Sequence, residues 1–162
     1  MTPPLRIAVL LAAALLAGCR AQPASNAAQP ATARTSPAGL DLVPLAVESG
    51  GRRHAFIVEV ARTPEQQEHG LMGRRALAPD AGMLFPFDPP RPASFWMRDT
   101  LIPLDMVFIR PDGSIARVAA NTVPMSETPV AVEEALTAVL ELRGGRAAEL
   151  GIREGDRVSW TD

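Results

Sequence analysis

Two hydrophobic patterns divide this chain. Residues 7–16 are an unbroken uncharged run, whereas over 43–48 and 56–61 apolar residues recur at every second position. Val43, Leu45 and Val47 alternate with Pro44, Ala46 and Glu48. Beyond Ser49-Gly50-Gly51, Phe56, Val58 and Val60 alternate with Ile57, Glu59 and Ala61. A period of two on both sides of a Gly-Gly turn predicts a β-hairpin, and Pro44 predicts that its first strand lies at an edge. Thr63-Pro64-Glu65-Gln66 then supplies an N-cap, a proline suited to the first helical turn and a capping-box partner. A short helix is predicted over 64–69, stopped by Gly70. Further strands are predicted at 82–87, 93–98, 104–110, 115–120, 138–142 and 156–160. Pro111-Asp112-Gly113 reads as a turn. Pro103 sets the start of a strand, Gly144 reads as a left-handed cap before a second helix over 146–150, and Trp160 reads as a core or edge anchor. About seven to eight short strands with two minor helices predict a mainly β (β-rich α+β) domain, either a sandwich or a partly open barrel.

The apolar run at the start has a different meaning. It follows Arg6, ends in small residues before Cys19, and is too short for a spanning helix, which needs about 20 residues. Charge, apolar run and small residues in that order form a secretory signal. Leu16-Ala17-Gly18-Cys19 resembles the lipobox of bacterial lipoproteins, whose cysteine carries diacylglyceryl and usually an N-acyl chain such as palmitate. The resemblance implies a signal peptide over 1–18, lipidation of Cys19, a lipid bilayer as partner and a periplasm-facing place in the cell envelope. Arg20, in place of the aspartate tied to inner-membrane retention, favours the outer membrane. Cys19 is the only cysteine, so as a free thiol in an oxidising compartment it would have no intramolecular partner. One acyl chain anchors only reversibly, so stable anchoring takes at least two. Residues 19–39 are rich in Ala, Pro, Ser, Thr and Gln with no long apolar side chain, which predicts a disordered tether spanning about 25 Å. Residues 40–162 then make a single domain of ordinary size.

Composition narrows the chemistry. The net charge of −2 argues against nucleic acid and against a polybasic membrane patch. All basic residues are arginine, and without lysine there is no Schiff-base chemistry and no P-loop.

Four segments stand out in order: 63–74 (TPEQQEHGLMGR), 82–85 (GMLF), 95–105 (FWMRDTLIPLD) and 139–144 (VLELRG). Together they resemble the bacterial and archaeal family known as domain of unknown function 192, over residues 56–158. The resemblance implies a compact, mainly β fold and frequent export, often as a lipoprotein, but no activity. Many members carry a cysteine in the loop that here spans 121–129. This chain has Met125 there, so thiol chemistry does not carry over.

Nucleophiles are scarce, no serine lies in a Gly-x-Ser-x-Gly elbow, and neither His54 nor His69 has a metal-binding partner at i+4. No catalytic residue is assigned, and the reading leans away from an enzyme. Arg74, Thr100, Asp105 and Glu141 sit among apolar neighbours, where an unpaired charge is costly. They can satisfy one another, Arg74 with Asp105 or Glu141 and Thr100 capping a turn. Alternatively, with Trp96, they form a ligand pocket with arginine as the clamp. A third possibility is a hydrolase using Asp105 and Glu141 as an acid–base pair, which requires carboxyls roughly 5–10 Å apart in a cleft. Met72, Met83 and Met97 recur in the motifs. They are either core fillers or soft thioether ligands for copper(I), the only cofactor considered. The expectation is a membrane-anchored binding or interaction module whose partner is a small ligand, a cell-wall component or another envelope protein.

Overall fold

The computed structural model describes residues 34–161, so the signal segment and Cys19 lie outside the described residues. The predicted hairpin is present as β2 (Asp41–Ser49) and β3 (Arg52–Val60), in register from Asp41↔Val60 to Ser49↔Arg52. Gly50 and Gly51 make its turn with φ of 55° and 74°, a region glycine enters without steric cost. The preceding segment is ordered too. β1 (Arg34–Thr35) pairs with β2, and Ser36 Oγ accepts from the amides of Ala38 and Leu40. The folded part therefore reaches back into the stretch whose composition predicts a tether.

After the hairpin come α1 (Pro64–His69), β4 (Ala81–Phe95), β5 (Leu104–Ile109), β6 (Ile115–Ala119), β7 (Val130–Arg143), α2 (Arg146–Leu150) and β8 (Arg157–Trp160). All strands belong to one mixed sheet in the order β1-β2-β3-β4-β7-β5-β6, with β8 added on β2. The β3–β4 pair is parallel, because α1 lies in the crossover between them. A bridge between Ser114 and Arg157 ties the start of β6 to β8, so the sheet curls round as a half-barrel. Of the two architectures predicted, the partly open barrel is the one observed.

Two strands are longer than their hydrophobic signal. The predicted strands at 82–87 and 93–98 are one strand, β4, which crosses prolines through register shifts between Pro86 and Ala93. Its partner β7 begins at Val130 instead of 138. The first half exposes Ala131, Glu133 and Glu134 to solvent and hides no continuous apolar run. Gly144 is also corrected: the left-handed residue is Gly145, with φ 83°. Gly144 is required by close approach, since a Cβ there would lie 2.8 Å from Pro103 Cβ and from Asn121 Oδ1.

Each face of the sheet carries its own core. On one face Val43, Leu45, Phe56, Val58, Val107, Leu140 and Leu142 pack with Ala147 and Ile152 at α2. On the other, Leu71, Met83, Phe85, Met97, Met106, Phe108 and Val139 pack beneath α1 and its following turn. β5 is buried at every position because it is covered on both faces. Among the described residues, no helix is long and apolar enough to cross a membrane.

Candidate functional site

Across four adjacent strands, Glu59, Met83, Glu141 and Met106 fall in one row. Residues so aligned share a face of the sheet, and this is the face under α1. Two carboxyls therefore enter an apolar layer, and their circumstances differ. Glu59 pairs with Arg74, which reaches back from the turn after α1. Glu141 is buried and has neither hydrogen bond nor ion pair among the described residues. Burial alone pushes its pKa up, from the ordinary 4.5 to about 8.

The carboxyl of Glu141 opens onto a cavity of about 300 Å³. Helix α1 forms one side, and its placement follows from local sequence. Thr63 and Gln66 form the expected capping box, and Pro64 occupies the first turn. Gln67 then pins the helix to the sheet, its Nε2 donating to the carbonyls of Ala61 (3.1 Å) and Pro86 (3.0 Å). Gly70 ends the helix at φ 50°, close above Phe85, whose ring would lie 3.4 Å from any added Cβ. The opposite wall is aromatic. Phe85 and Phe95 meet edge to face at 5.1 Å, and Trp96 stands half exposed with the Arg98 guanidinium 4.0 Å above its ring. Arg91 covers Phe87 at 4.2 Å on the rim.

Two loops hold this wall. The Thr100 hydroxyl donates to the Arg98 carbonyl, as expected of a residue closing a turn, and the Thr100 carbonyl accepts from the Met125 amide. Asp99, Asn121 and Met125 all have left-handed backbones, with φ between 50° and 62°. Aspartate and asparagine tolerate that region; methionine does so only where neighbouring bonds hold it.

Of the five residues predicted to share a pocket, three do: Trp96, Thr100 and Glu141. Arg74 lines an adjoining hollow of about 630 Å³, separated from the first by His69, Gly70 and Met72, which face both. Its partner is Glu59 rather than Asp105 or Glu141. Asp105 lies on the other face, opposite Leu142, and is fully buried. There its oxygens accept from the amides of Asn121 (2.7 Å), Gly145 (2.9 Å) and Ala147 (2.7 Å). It does the capping that Gly145, at the start of α2, has no side chain to do. Asp105 and Glu141 thus project to opposite faces and cannot flank one scissile bond, which removes the acid–base pair.

The methionines are dispersed. Met83 and Met97 are in the second core, the Met97 sulfur accepting from the Thr122 hydroxyl at 3.1 Å, and Met72 lines the cavity edge. Among the described residues, no three His, Cys, Asp or Glu side chains converge as a metal would require.

Sequence reading missed Glu59, Gln67, His69 and Arg91. Alternation in β3 assigns Glu59 to the solvent face, together with Ile57 and Ala61. Ile57 is indeed exposed, but the turn after α1 covers Glu59 and Ala61. The only available signal is the helix itself, which has to cover some part of the sheet.

Residues 45–160 match the family described as DUF192, Uncharacterized ACR. A protein of unknown function from Novosphingobium aromaticivorans DSM 12444 has a similar crystal structure. It is 44% identical, with a TM-score of 0.77 over 87% of this chain and 99% of that one. A second crystal structure, of a proposed transcription regulator from Sinorhizobium meliloti 1021, is 43% identical with a TM-score of 0.73. That match covers 75% of this chain and 95% of that one. Among curated proteins none matches.

Proposed function

The chain belongs to the domain of unknown function 192 family, and from its geometry we propose a small-ligand-binding protein held at the cell envelope by lipid on Cys19. The ligand's seat is the cavity floored by Glu141. One observation carries this reading: a buried carboxyl with no partner opens onto an aromatic-walled hollow. Buried polar groups in folded proteins are paired in the great majority of cases, and an unpaired ionisable group in a cleft is a functional-site signal. A carboxyl kept only for architecture would be satisfied, as Asp105 is. The volume sits at the small end of ligand pockets, which run roughly 300–1,000 Å³. A concave, deep-set carboxyl favours a small molecule over a flat protein partner. The Leu-Ala-Gly-Cys ending and the apolar run before it support the anchor and the periplasm-facing location.

Native mass spectrometry of the full-length protein extracted from membranes tests the seat. Wild type is expected to carry a small molecule that Glu141→Leu, which fills the floor with apolar atoms, does not. Retention of the same molecule by the variant would overturn the assignment. The anchor has its own test. Cys19→Ala should move the protein from the membrane to the soluble fraction, and an unmodified Cys19 in intact-mass analysis refutes lipidation.

A further inference from the structure

We propose that the ligand is a small organic cation, its protonated primary amine docking on Glu141 and its hydrocarbon part lying along Phe85, Phe95 and Trp96. This rests on the ligand-binding reading above and narrows the ligand to a chemical class.

The argument comes from which hydrogen-bonding positions remain open inside the cavity. The donors near its floor are already committed. The Thr100 hydroxyl donates to the Arg98 carbonyl, both N–H bonds of Gln67 Nε2 go to carbonyls, and Arg74, in the adjoining hollow, is held by Glu59. Beside the Glu141 carboxyl, Gln67 Oε1 and Thr100 Oγ1 remain open and accept, and the carboxyl itself accepts once it gives up its proton; Ser94, Trp96 and Arg91 supply the open donors of the lining. A floor of acceptors is complementary to a donor-rich head, and an ammonium brings three donors with a charge. Aromatic walls add to the match, since ring faces attract cations and pack against alkyl chains.

The charges around Glu141 agree with this. From β4 the only cation is Arg91, which lines the same cavity and is paired across the sheet with Leu136, five positions along β7 from Glu141. Its guanidinium lies 4.2 Å from the centre of the Phe87 ring and makes no ion pair with Glu141. Helix α1 contributes Glu68 and His69 to the lining. Beyond Met83 lies the Glu59–Arg74 pair, neutral as a unit. β5 presents Met106 and no charge. Neither Arg91 nor Arg98, which lies over the Trp96 ring, pairs with Glu141, so an ammonium docking there breaks no existing ion pair.

Binding on this model draws the proton off Glu141, so affinity depends on pH in a predictable direction. Below the carboxyl's raised pKa of about 8, affinity should rise roughly tenfold per pH unit. It should level off above that point, then fall near pH 10 as the amine itself loses its proton.

Calorimetry of the full-length protein in detergent with 1,4-diaminobutane and butylamine, against 1,4-butanediol and butyrate, decides the matter. The amines are expected to bind and the neutral and anionic analogues not. Near pH 7, titration in buffers of different ionisation enthalpy should show release of close to one proton. Glu141→Gln should weaken amine binding at least tenfold and abolish the pH slope, with an unchanged or higher melting temperature showing that it folds. If the diol or butyrate binds at this cavity, with Trp96 fluorescence responding, the cation class is wrong and the seat survives. If no amine binds more tightly than about 1 mM the cation class also fails. If, in addition, membrane-extracted wild type carries no small molecule, the seat fails with it.

Discussion

Asp105 and Glu141 are both buried carboxyls on neighbouring strands, one residue out of phase. That single step turns Asp105 toward α2 and Glu141 toward α1. Under α2, three backbone amides converge on Asp105, so both its oxygens are engaged on the face where Val107, Ile109 and Leu142 pack. Under α1, the same kind of group has no donor among the described residues and lines a cavity. One face is closed in the way a core is closed. The other leaves a buried carboxyl facing a cavity. A charged group in the interior is therefore diagnostic through its partners, not through its burial.

The largest expected effect concerns pH. In the folded protein the carboxyl of Glu141 is raised from 4.5 to about 8. Between those values the unfolded chain releases a proton that the folded one keeps. Stability is thus fully present below pH 4.5 and falls as pH rises toward 8. At about 1.4 kcal/mol per unit the loss across the window is on the order of 5 kcal/mol. Urea unfolding at pH 5 and pH 8 should show it in wild type and not in Glu141→Gln. A wild type that grows more stable across this range would contradict the assignment.

Asp105→Asn should give the opposite result, destabilising by about 2–4 kcal/mol, because an amide nitrogen then faces buried N–H donors. The loss should appear at pH 5 and pH 8 alike and leave binding at the cavity intact in the folded fraction. Equal stability with wild type would mean that the three amides do not hold that face together.

A third test converts one kind of carboxyl into the other. Arg74→Ala strands Glu59 as a second unpartnered acid and should cost about 2–3 kcal/mol, part of it restored by adding Glu59→Gln. Strict additivity of the two changes, measured by the double-mutant cycle, would show that the pair is not coupled. The smallest effect is expected at the edge of the cavity. Thr63→Ala removes the helix cap and should cost about 1 kcal/mol. Amide exchange should rise in residues 64–70 and remain unchanged in α2.

Much of the architecture could be read from the chain because it rests on local chemistry. The hairpin turn needs residues that accept positive φ, and Gly50-Gly51 supplies them. Thr63 through Gln66 contains every part of a capping box. Leu104 to Ile109 reads as a strand because each position is apolar or, like Asp105, satisfied inside the fold. Where local chemistry is weak, the reading fell short. The first half of β7 is polar and gains its strand geometry only from pairing with the far half of β4. The site was legible in part. Thr100 and Glu141 stand out as polar residues among apolar neighbours, with Trp96 added as a wall, and Arg74 and Asp105 show the same signal for other reasons.

The amino-acid order by itself determined the strands, the caps, the turns and the fact that several charges must be buried, because each follows from periodicity and conformational preference over a few residues. Which face each charge turns to, and whether a donor awaits it there, was decided only when distant segments met. Glu59 finds Arg74, Asp105 finds the start of α2, and Glu141 finds a cavity. Partnership across a folded sheet depends on register and crossover, and a one-residue change of phase exchanges one face for the other.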